Sequence, residues 1–323
     1  MRLARYAVAV AGFLLFAALL LGVAMRAPGP PFTAELRPVR LPARIIFYGD
    51  SRPRVFVETG WRADPGEAVR REVIRAIAAE RPALIVHSGD LVSWGDSPGA
   101  WSIFDRDHAA FRDADIPFYP ALGNHEYYGW NTIGLWNYFQ RFPLLQERRW
   151  YELRVGPLAI LVVDTNAGAL DPWSVEDQQR WYEERLQATA TDGSVRCVVV
   201  VGHHSPFTNA ISHGPDDSTQ QRFVEPGRRF PKVKLFVTGH VHSYERFEID
   251  GRTFVVSGGG GAPRFSLRTG ADARYRDSFA GPQYRPFHYC VATLEEHRLT
   301  IDVMMLDDEA MTWSRGDAFT IDF

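Results

Sequence analysis

The sequence has few cysteines and little net charge, and each of these features excludes a class of protein. Cys197 and Cys290 are the only two cysteines in 323 residues, which excludes a disulfide-rich scaffold. Both lie in apolar, strand-like runs, which fits either one disulfide in an exported domain or two buried free thiols. The formal net charge is only -3. We therefore expect no nucleic-acid partner, and we expect the chemistry to reside in a localised site.

The N-terminal 26 residues differ in character from the rest of the chain. Arg2 and Arg5 precede an uncharged apolar run that ends at Met25. The run is about as long as the roughly 20 residues that a membrane-spanning helix needs, and its basic flank favours export of the body. We predict an uncleaved membrane anchor over residues 1–26 and an extracytoplasmic location, periplasmic or at the cell surface. A cleaved signal peptide, and so a secreted protein, is the alternative.

Beyond this segment, the sequence predicts a linker followed by one large domain. Residues 27–42 are rich in proline and are expected to form a stiff linker. Over residues 43–323, short apolar runs alternate with helical periodicity, which indicates an α/β fold. Five of the strand-like runs end in Asp, Asn or His. In α/β sheets, ligands bind beyond the carboxyl ends of the strands, so these five ends are expected to converge.

The five strand ends carry residue types that bind metals, and each cluster follows a glycine. The motifs are "GDSR", "SGDL", "GNHE", "GHHSP" and "GHVH". Two metal ions about 3.5–4 Å apart can stabilise both the attacking and the leaving oxygen of a phosphoryl transfer. Imidazole and amide ligands favour transition metals over calcium, and a further histidine can protonate the leaving group. In the last motif, His240 and His242 share a face if the segment is extended.

These motifs resemble those of the calcineurin-like metallophosphoesterase superfamily. "GHVHSYER", "HSPFTN", "GDL" and "GNHE" are most similar to its purple acid phosphatase branch, and the resemblance runs from about Arg44 to Pro263. It implies a four-layer α/β/β/α sandwich with two central mixed sheets. It also implies hydrolysis of phosphate esters at a binuclear centre that holds two divalent or trivalent transition-metal ions, Fe, Zn or Mn.

The resemblance implies one bridging ligand and two sets of further metal ligands. Asp90 is expected to bridge the ions. The implied metal ligands are Asp50, Asp90, Asn124, His204, His240 and His242. The histidine ligand of the family lies two residues before a proline, which selects His204 and leaves His203 to contact substrate or to support the site. A bulge of one residue in the chain would exchange these two roles.

Two catalytic assignments and two departures from the family pattern follow. His125 is the expected general acid, because neighbours in an extended segment point apart. Arg52 stands where many members have a metal-binding histidine, and Ser93 stands where purple acid phosphatases have a tyrosine. The first metal is therefore expected to lack its usual fourth protein ligand. The Arg52 guanidinium is expected either to contact a substrate phosphate or to pair with an acid at the rim.

The sequence thus predicts an acid-phosphatase-like phosphomonoesterase that acts on small-molecule phosphate esters. A phosphodiesterase and a hydrolase of phospholipid headgroups are alternatives within the enzyme class. A phosphate-binding domain without turnover is the alternative from a different class. The presence of His125 argues against that last alternative, because a binding module needs no general acid.

Overall fold

Two six-stranded mixed sheets form the centre of the computed structural model, which describes residues 20–58 and 66–323. The strands are β1 (Ala43–Tyr48), β2 (Leu84–His87), β3 (Phe118–Pro120), β4 (Tyr151–Val155), β5 (Leu158–Val162), β6 (Cys197–Val201), β7 (Val233–Thr238), β8 (Tyr244–Ile249), β9 (Arg252–Ser257), β10 (Phe287–Leu294), β11 (Arg298–Asp307) and β12 (Thr312–Asp322). The first sheet has the order β12-β11-β10-β1-β2-β3, and the second has the order β4-β5-β6-β7-β9-β8.

Helices cover the outer faces of both sheets. They are α1 (Gly66–Ala79), α2 (Pro98–Asp107), α3 (Ala109–Asp113), α4 (Asn131–Arg141) and α5 (Pro172–Thr191), with shorter helical turns at Phe56–Glu58, His125–Tyr127, Pro143–Leu145, Asp217–Thr219, Gln220–Val224, Glu225–Gly227 and Gly270–Asp272. Helix α1 contacts β10 of the first sheet, and α5 contacts β5 of the second. This arrangement confirms the predicted four-layer α/β/β/α sandwich.

The central strands are apolar throughout because both of their faces are buried. In β6, Cys197, Val199 and Val201 pack into the core shared with the first sheet, whereas Val198 and Val200 pack on the helical side. Successive side chains of a strand point to opposite faces, so a strand between two layers must be apolar at every position.

Parallel pairing brings the informative strand ends to one edge of each sheet. Strands β1, β2 and β3 run parallel, with Tyr48 opposite His87 and His87 opposite Pro120. Strands β5, β6 and β7 are also parallel, with Val201 opposite both Val162 and Val237. The loops that follow these strands therefore begin level with one another, which is the geometry that collects side chains from distant parts of the sequence.

Residues 27–42, the predicted stiff linker, lie against the body of the domain. Phe32 is only 3% exposed and packs on the rings of Phe104 and Phe142. The Ala27 amide donates to the Asn137 Oδ1 atom at 2.7 Å. Burial of an aromatic ring outweighs the extended preference of the surrounding prolines, so the segment is held in place.

The predicted anchor over residues 1–26 falls mainly outside the described residues, which begin at Leu20. Within the described part of the chain, residues 20–24 are helical, and no helix is both long enough and apolar enough to cross a membrane. The two cysteines are both buried free thiols, Cys197 in β6 and Cys290 in β10, so the structure contains the second of the two predicted alternatives.

Candidate metal centre

The strand-end loops turn sharply, and three of the predicted ligands adopt left-handed backbone conformations. Asp50, Asp90 and His240 have φ values of 59°, 61° and 67°. Non-glycine residues seldom adopt such angles, and they concentrate at functional sites, where the surrounding structure enforces them. Gly123 is one enforcing element, because a Cβ atom there would collide with the backbone and the side chain of Asp90.

One group of side chains, which we call the second cluster, consists of Asp90, Asn124, His203 and His240. The His203 Nε2 atom lies 2.9 Å from Asn124 Oδ1 and 3.3 Å from Asp90 Oδ1. The His240 Nδ1 atom lies 3.0 Å from Asn124 Oδ1 and 3.2 Å from His203 Nε2. Four potential ligand atoms from four loops therefore converge on one point.

Contacts outside the second cluster orient its members. The His203 Nδ1 atom lies 2.8 Å from the Ser88 carbonyl oxygen, which only accepts hydrogen bonds, so His203 donates from Nδ1 and directs the Nε2 lone pair into the cluster. Asn124 donates from Nδ2 to the Tyr128 hydroxyl at 2.8 Å, which leaves Oδ1 facing the same point. Such outer contacts fix the tautomer and the orientation of metal ligands.

A smaller group, which we call the first cluster, consists of Asp50, Asp90 and His242. Each residue offers a ligand atom within 4.8 Å of the other two, and all three side chains are buried. The His242 Nδ1 atom lies 2.7 Å from the Pro263 carbonyl oxygen, so its Nε2 atom, 3.4 Å from Asp50 Oδ1, carries the lone pair. Asp90 belongs to both clusters.

The electrostatics of the two clusters favour a bound cation. Burial and the neighbouring charge of Asp90 raise the pKa of Asp50 well above its usual range. Burial lowers the pKa of His203 to about 4 and also lowers the pKa of His240, so both rings are neutral near pH 7. Two buried carboxylates and several inward lone pairs are costly together unless positive charge offsets them.

The distances also fit a transition-metal ion. Ligand atoms about 2.1 Å from a tetrahedral or octahedral ion lie about 3.0–3.4 Å apart. Four separations between ligand atoms of the second cluster range from 2.9 to 3.3 Å. The residues of the second cluster would hold one ion and those of the first cluster the other, with Asp90 between them.

Within the histidine pair, the structure places His203, and not His204, in the cluster. The His204 Nδ1 atom instead lies 2.8 Å from the Thr165 hydroxyl. His203, and not His204, therefore occupies the position expected of the histidine ligand. The reason is the path of the chain after β6, where the Thr165 hydroxyl accepts hydrogen bonds from the amides of both histidines. The two histidines thus have the exchanged positions that a one-residue bulge would give them.

Arg52 pairs with an acid, which is the second of its two expected roles. Its two terminal nitrogens donate to the two carboxylate oxygens of Glu58, each at 3.0 Å, and both side chains are buried. Its Nε atom lies 3.4 Å from Asp90 Oδ2. The planar fork is therefore occupied by Glu58. Arg52 instead places a fixed positive charge beside the carboxylate shared by the clusters.

His125 lies at the junction of the metal centre and the open cleft. It donates from Nδ1 to the Ser93 carbonyl oxygen at 2.8 Å, and its Nε2 atom lies 3.6 Å from Asp90 Oδ2. Its ring packs on Tyr128 with centroids 4.3 Å apart. Burial lowers the pKa of His125, and the Asp90 charge opposes that shift.

Sequence reasoning missed two residues that shape the centre. Glu126 accepts the amide protons of Gly123, Asp90 and Leu91 at 2.7–2.9 Å, so one carboxylate ties two ligand loops together. Thr165 follows β5, and its hydroxyl accepts the amide protons of His203 and His204. The signal for Glu126 was its place in "GNHE", and the signal for Thr165 was a sixth apolar run, "LAILVVDT", that ends in polar residues.

A cleft of about 470 Å³ opens onto the clusters. Trp94, Tyr128 and Phe265 give it an aromatic wall, and Arg54 lines it with His125. The cleft thus joins an apolar surface to the metal centre, which suits the organic part of a phosphate ester.

The assignment of His203 predicts a difference between the two neighbouring histidines. His203→Ala should weaken metal binding by about 100-fold or more, because loss of a direct ligand exceeds the 10–100-fold cost of losing an outer contact. His204→Ala should retain the metal content of the unmodified protein. Competition with a coloured chelator measures both affinities, and equal losses in the two variants would contradict the assignment.

The ligand counts predict that the two sites release metal unequally. The first cluster offers three protein groups and lies beside the Arg52 charge, whereas the second cluster offers four. Dialysis against increasing chelator should therefore remove one metal per chain before the other. Metal analysis at each step provides the measurement. Loss of both metals in one step would indicate a further ligand in the first cluster.

Comparison with known proteins places these features in a family. The sequence profile described as calcineurin-like phosphoesterase matches residues 43–244. Over 159 residues the chain is 26% identical to Purple acid phosphatase 1 from Ipomoea batatas, an alignment that spans 46% of this chain and 32% of the relative. The chain thus matches about a third of the length of that curated relative.

Three solved structures share the fold at low sequence identity. Purple acid phosphatase PPD1 from yellow lupin (Lupinus luteus) seeds has a TM-score of 0.64 and 18% identity, covering 90% of this chain and 55% of that chain. A dimetal phosphatase from Danio rerio has a TM-score of 0.57 and 14% identity, with coverage of 87% and 99%. GAP50, the anchor in the inner membrane complex of Plasmodium, has a TM-score of 0.54 and 16% identity, with coverage of 84% and 88%.

The profile and the geometry agree on the same part of the chain. Every residue of the two clusters, from Asp50 to His242, lies inside the matched range. The family implies a dinuclear metal centre, and the two clusters joined by Asp90 fit that expectation. The profile matches well over half of this chain, so the chain belongs to the calcineurin-like phosphoesterase family.

Proposed function

We propose that this protein hydrolyses phosphate esters at a two-metal centre formed by the first and second clusters. The observation that carries the proposal is the position of Asp90, whose carboxylate belongs to both clusters. A shared carboxylate would hold two ions close enough to act on one phosphate. When bound, the metals would supply the Lewis acidity that activates water and offsets charge on the attacking and leaving oxygens.

His125 is the proposed general acid. Its Nδ1 proton is committed to the Ser93 carbonyl, so only Nε2, which lines the cleft, can exchange a proton, and His125 acts as the acid in its doubly protonated, cationic form. Water attacks phosphorus, the bond from phosphorus to the leaving oxygen breaks, and that oxygen takes the Nε2 proton. Proton transfer by a positioned side chain contributes about 10²–10⁴-fold to such reactions.

Monoester hydrolysis of the acid-phosphatase type is the first candidate within this reaction class. The aromatic wall of the cleft supports it, since Trp94 and Tyr128 offer a surface for one organic leaving group. The similarity to Purple acid phosphatase 1 over 159 residues supports it as well. Phosphodiester hydrolysis is the second candidate, and a separate polar cavity beside Asn124 favours it.

The proposed acid role predicts a dependence on the leaving group. His125→Ala should lower kcat/KM for propyl phosphate by about 10²–10⁴-fold, because an alkoxide needs a proton in order to leave. The loss should be smaller for 4-nitrophenyl phosphate, whose leaving group departs without one. His297→Ala, which removes an exposed histidine far along the chain, is the control. Equal losses for both esters, together with lower metal content, would make His125 structural.

We also propose that the protein acts outside the cytoplasm, tethered through its N-terminal segment. The support is the apolar run from Tyr6 to Met25 after Arg2 and Arg5. The full-length chain should sediment with membranes and resist carbonate extraction, with its body accessible to added protease from outside the cytoplasm. A soluble product trimmed at its N-terminus would favour a cleaved signal peptide, and a protease-protected body would contradict the proposed location.

A further inference from the structure

A second cavity of about 450 Å³ adjoins the metal centre. Asn124 and Tyr128 line both this cavity and the aromatic cleft, so the two spaces lie on either side of a second-cluster residue. A phosphate held at the clusters therefore has room for organic groups in two directions.

The lining of the second cavity differs chemically from that of the cleft. Its polar lining consists of amides, hydroxyls, one imidazole and one carboxylate, contributed by Asn131, Thr165, Asn166, His204, Asp216 and Ser218. None of the described residues that line it is Lys or Arg, whereas Arg52 and Arg54 line the cleft. The cavity thus suits an uncharged polar group better than a second phosphate, which needs cationic partners.

His204, which lines this cavity, carries a hydrogen-bond donor on its ring. The Thr165 hydroxyl oxygen accepts the amide protons of His203 at 3.2 Å and His204 at 2.9 Å, so its own proton is left to donate to His204 Nδ1 at 2.8 Å. A neutral imidazole that accepts at Nδ1 carries its proton on Nε2. His204, displaced from the second cluster, therefore offers an N–H group and not a lone pair.

Asp216 supplies a complementary acceptor. Its Oδ1 atom accepts the Thr219 amide proton at 2.6 Å, which fixes the side chain, and no described residue donates to its Oδ2 atom. Asn166, which also lines the cavity, donates to the Leu122 carbonyl oxygen at 3.0 Å and to Asp164 Oδ1 at 2.8 Å. Donor and acceptor are thus held in place before any ligand arrives, which lowers the entropic cost of binding.

We propose that the second cavity binds the retained alcohol of a phosphodiester, and that this alcohol carries hydroxyl groups in the manner of glycerol or a sugar. The inference rests on the proposed function. His204 donates to one hydroxyl group, and Asp216 accepts from another. The leaving alcohol lies in the aromatic cleft beside His125. Water attacks phosphorus, the bond to that leaving oxygen breaks, and the leaving oxygen takes the His125 proton. The product in the second cavity is a phosphomonoester of the polyhydroxy alcohol.

Two matched diesters test the inference with the metal-loaded full chain. Phenyl glycerol phosphate and phenyl propyl phosphate share the leaving group and the charge, and they differ only in two hydroxyl groups. The unmodified protein should have the higher kcat/KM for the glycerol diester. His204→Phe and Asp216→Asn should each lower the glycerol-to-propyl ratio of kcat/KM by about 10–100-fold, because the first removes a hydrogen-bond donor to a hydroxyl and the second replaces a charged acceptor with a neutral amide.

The variants are chosen to separate recognition from folding. Asn at position 216 keeps an oxygen that accepts the Thr219 amide proton, so the helical turn retains its cap. Asp217→Asn changes a neighbouring exposed carboxylate outside the cavity and should preserve the ratio. A ratio that stays constant in both cavity variants, or equal losses for both diesters, would overturn the inference.

Two further substrates distinguish this inference from the proposed function. Hydrolysis of phenyl phosphate without hydrolysis of either diester would overturn the inference and leave the monoesterase standing. No turnover of any of the three esters would overturn the proposed function itself. A preference for phenyl 2-aminoethyl phosphate that depends on Asp216 would assign the cavity to a cationic alcohol and would overturn the polyhydroxy assignment.

Discussion

The metal centre depends on one buried carboxylate, that of Asp90. Its oxygens face His203 on one side and Arg52 on the other, while its backbone adopts a left-handed conformation and donates its amide proton to Glu126. A buried carboxylate without compensating charge is costly, and so is a strained backbone. Both costs fall on Asp90, because the loop contacts that enforce its left-handed turn also direct its carboxylate into the two clusters. The geometry of the centre and its affinity for cations therefore have a common origin.

The ion pair between Arg52 and Glu58 makes the centre asymmetric. Both side chains are buried, and the guanidinium also lies 3.4 Å from Asp90 Oδ2. Breaking a buried pair by removing one partner leaves an uncompensated charge, so Arg52 and Glu58 hold each other in place. Arg52 thereby supplies part of the positive charge that offsets Asp90, and it does so beside the first cluster, which has fewer ligands. Metal binding at the first cluster competes with this fixed charge, whereas the second cluster adds two neutral histidines and Asn124 to the shared Asp90.

The sequence predicted the layers and the strand ends, because continuous apolar runs and the residues that follow them are local signals. It predicted less where the outcome depends on distant partners. Residues 27–42 are rich in proline, yet Phe32 finds a pocket formed by Phe104 and Phe142, far along the chain. The Arg52 pairing depends on a loop without periodicity. The order of His203 and His204 depends on the backbone path after β6, and the alternation rule for strands no longer applies once a strand has ended.

That last point links the metal centre to the choice of substrate. A single hydroxyl group, that of Thr165 at the end of β5, accepts both histidine amides and donates to the His204 ring. The Ser88 carbonyl accepts the Nδ1 proton of His203, so His203 turns its Nε2 lone pair towards Asp90, and the Thr165 hydroxyl donates to Nδ1 of His204, so His204 keeps an Nε2 proton to give. Two adjacent and chemically identical side chains thus acquire opposite roles, one as an acceptor towards a cation and one as a donor towards an alcohol. The loops that follow β2 and β5 set these opposite roles, so metal binding and alcohol recognition fall on consecutive residues of one loop.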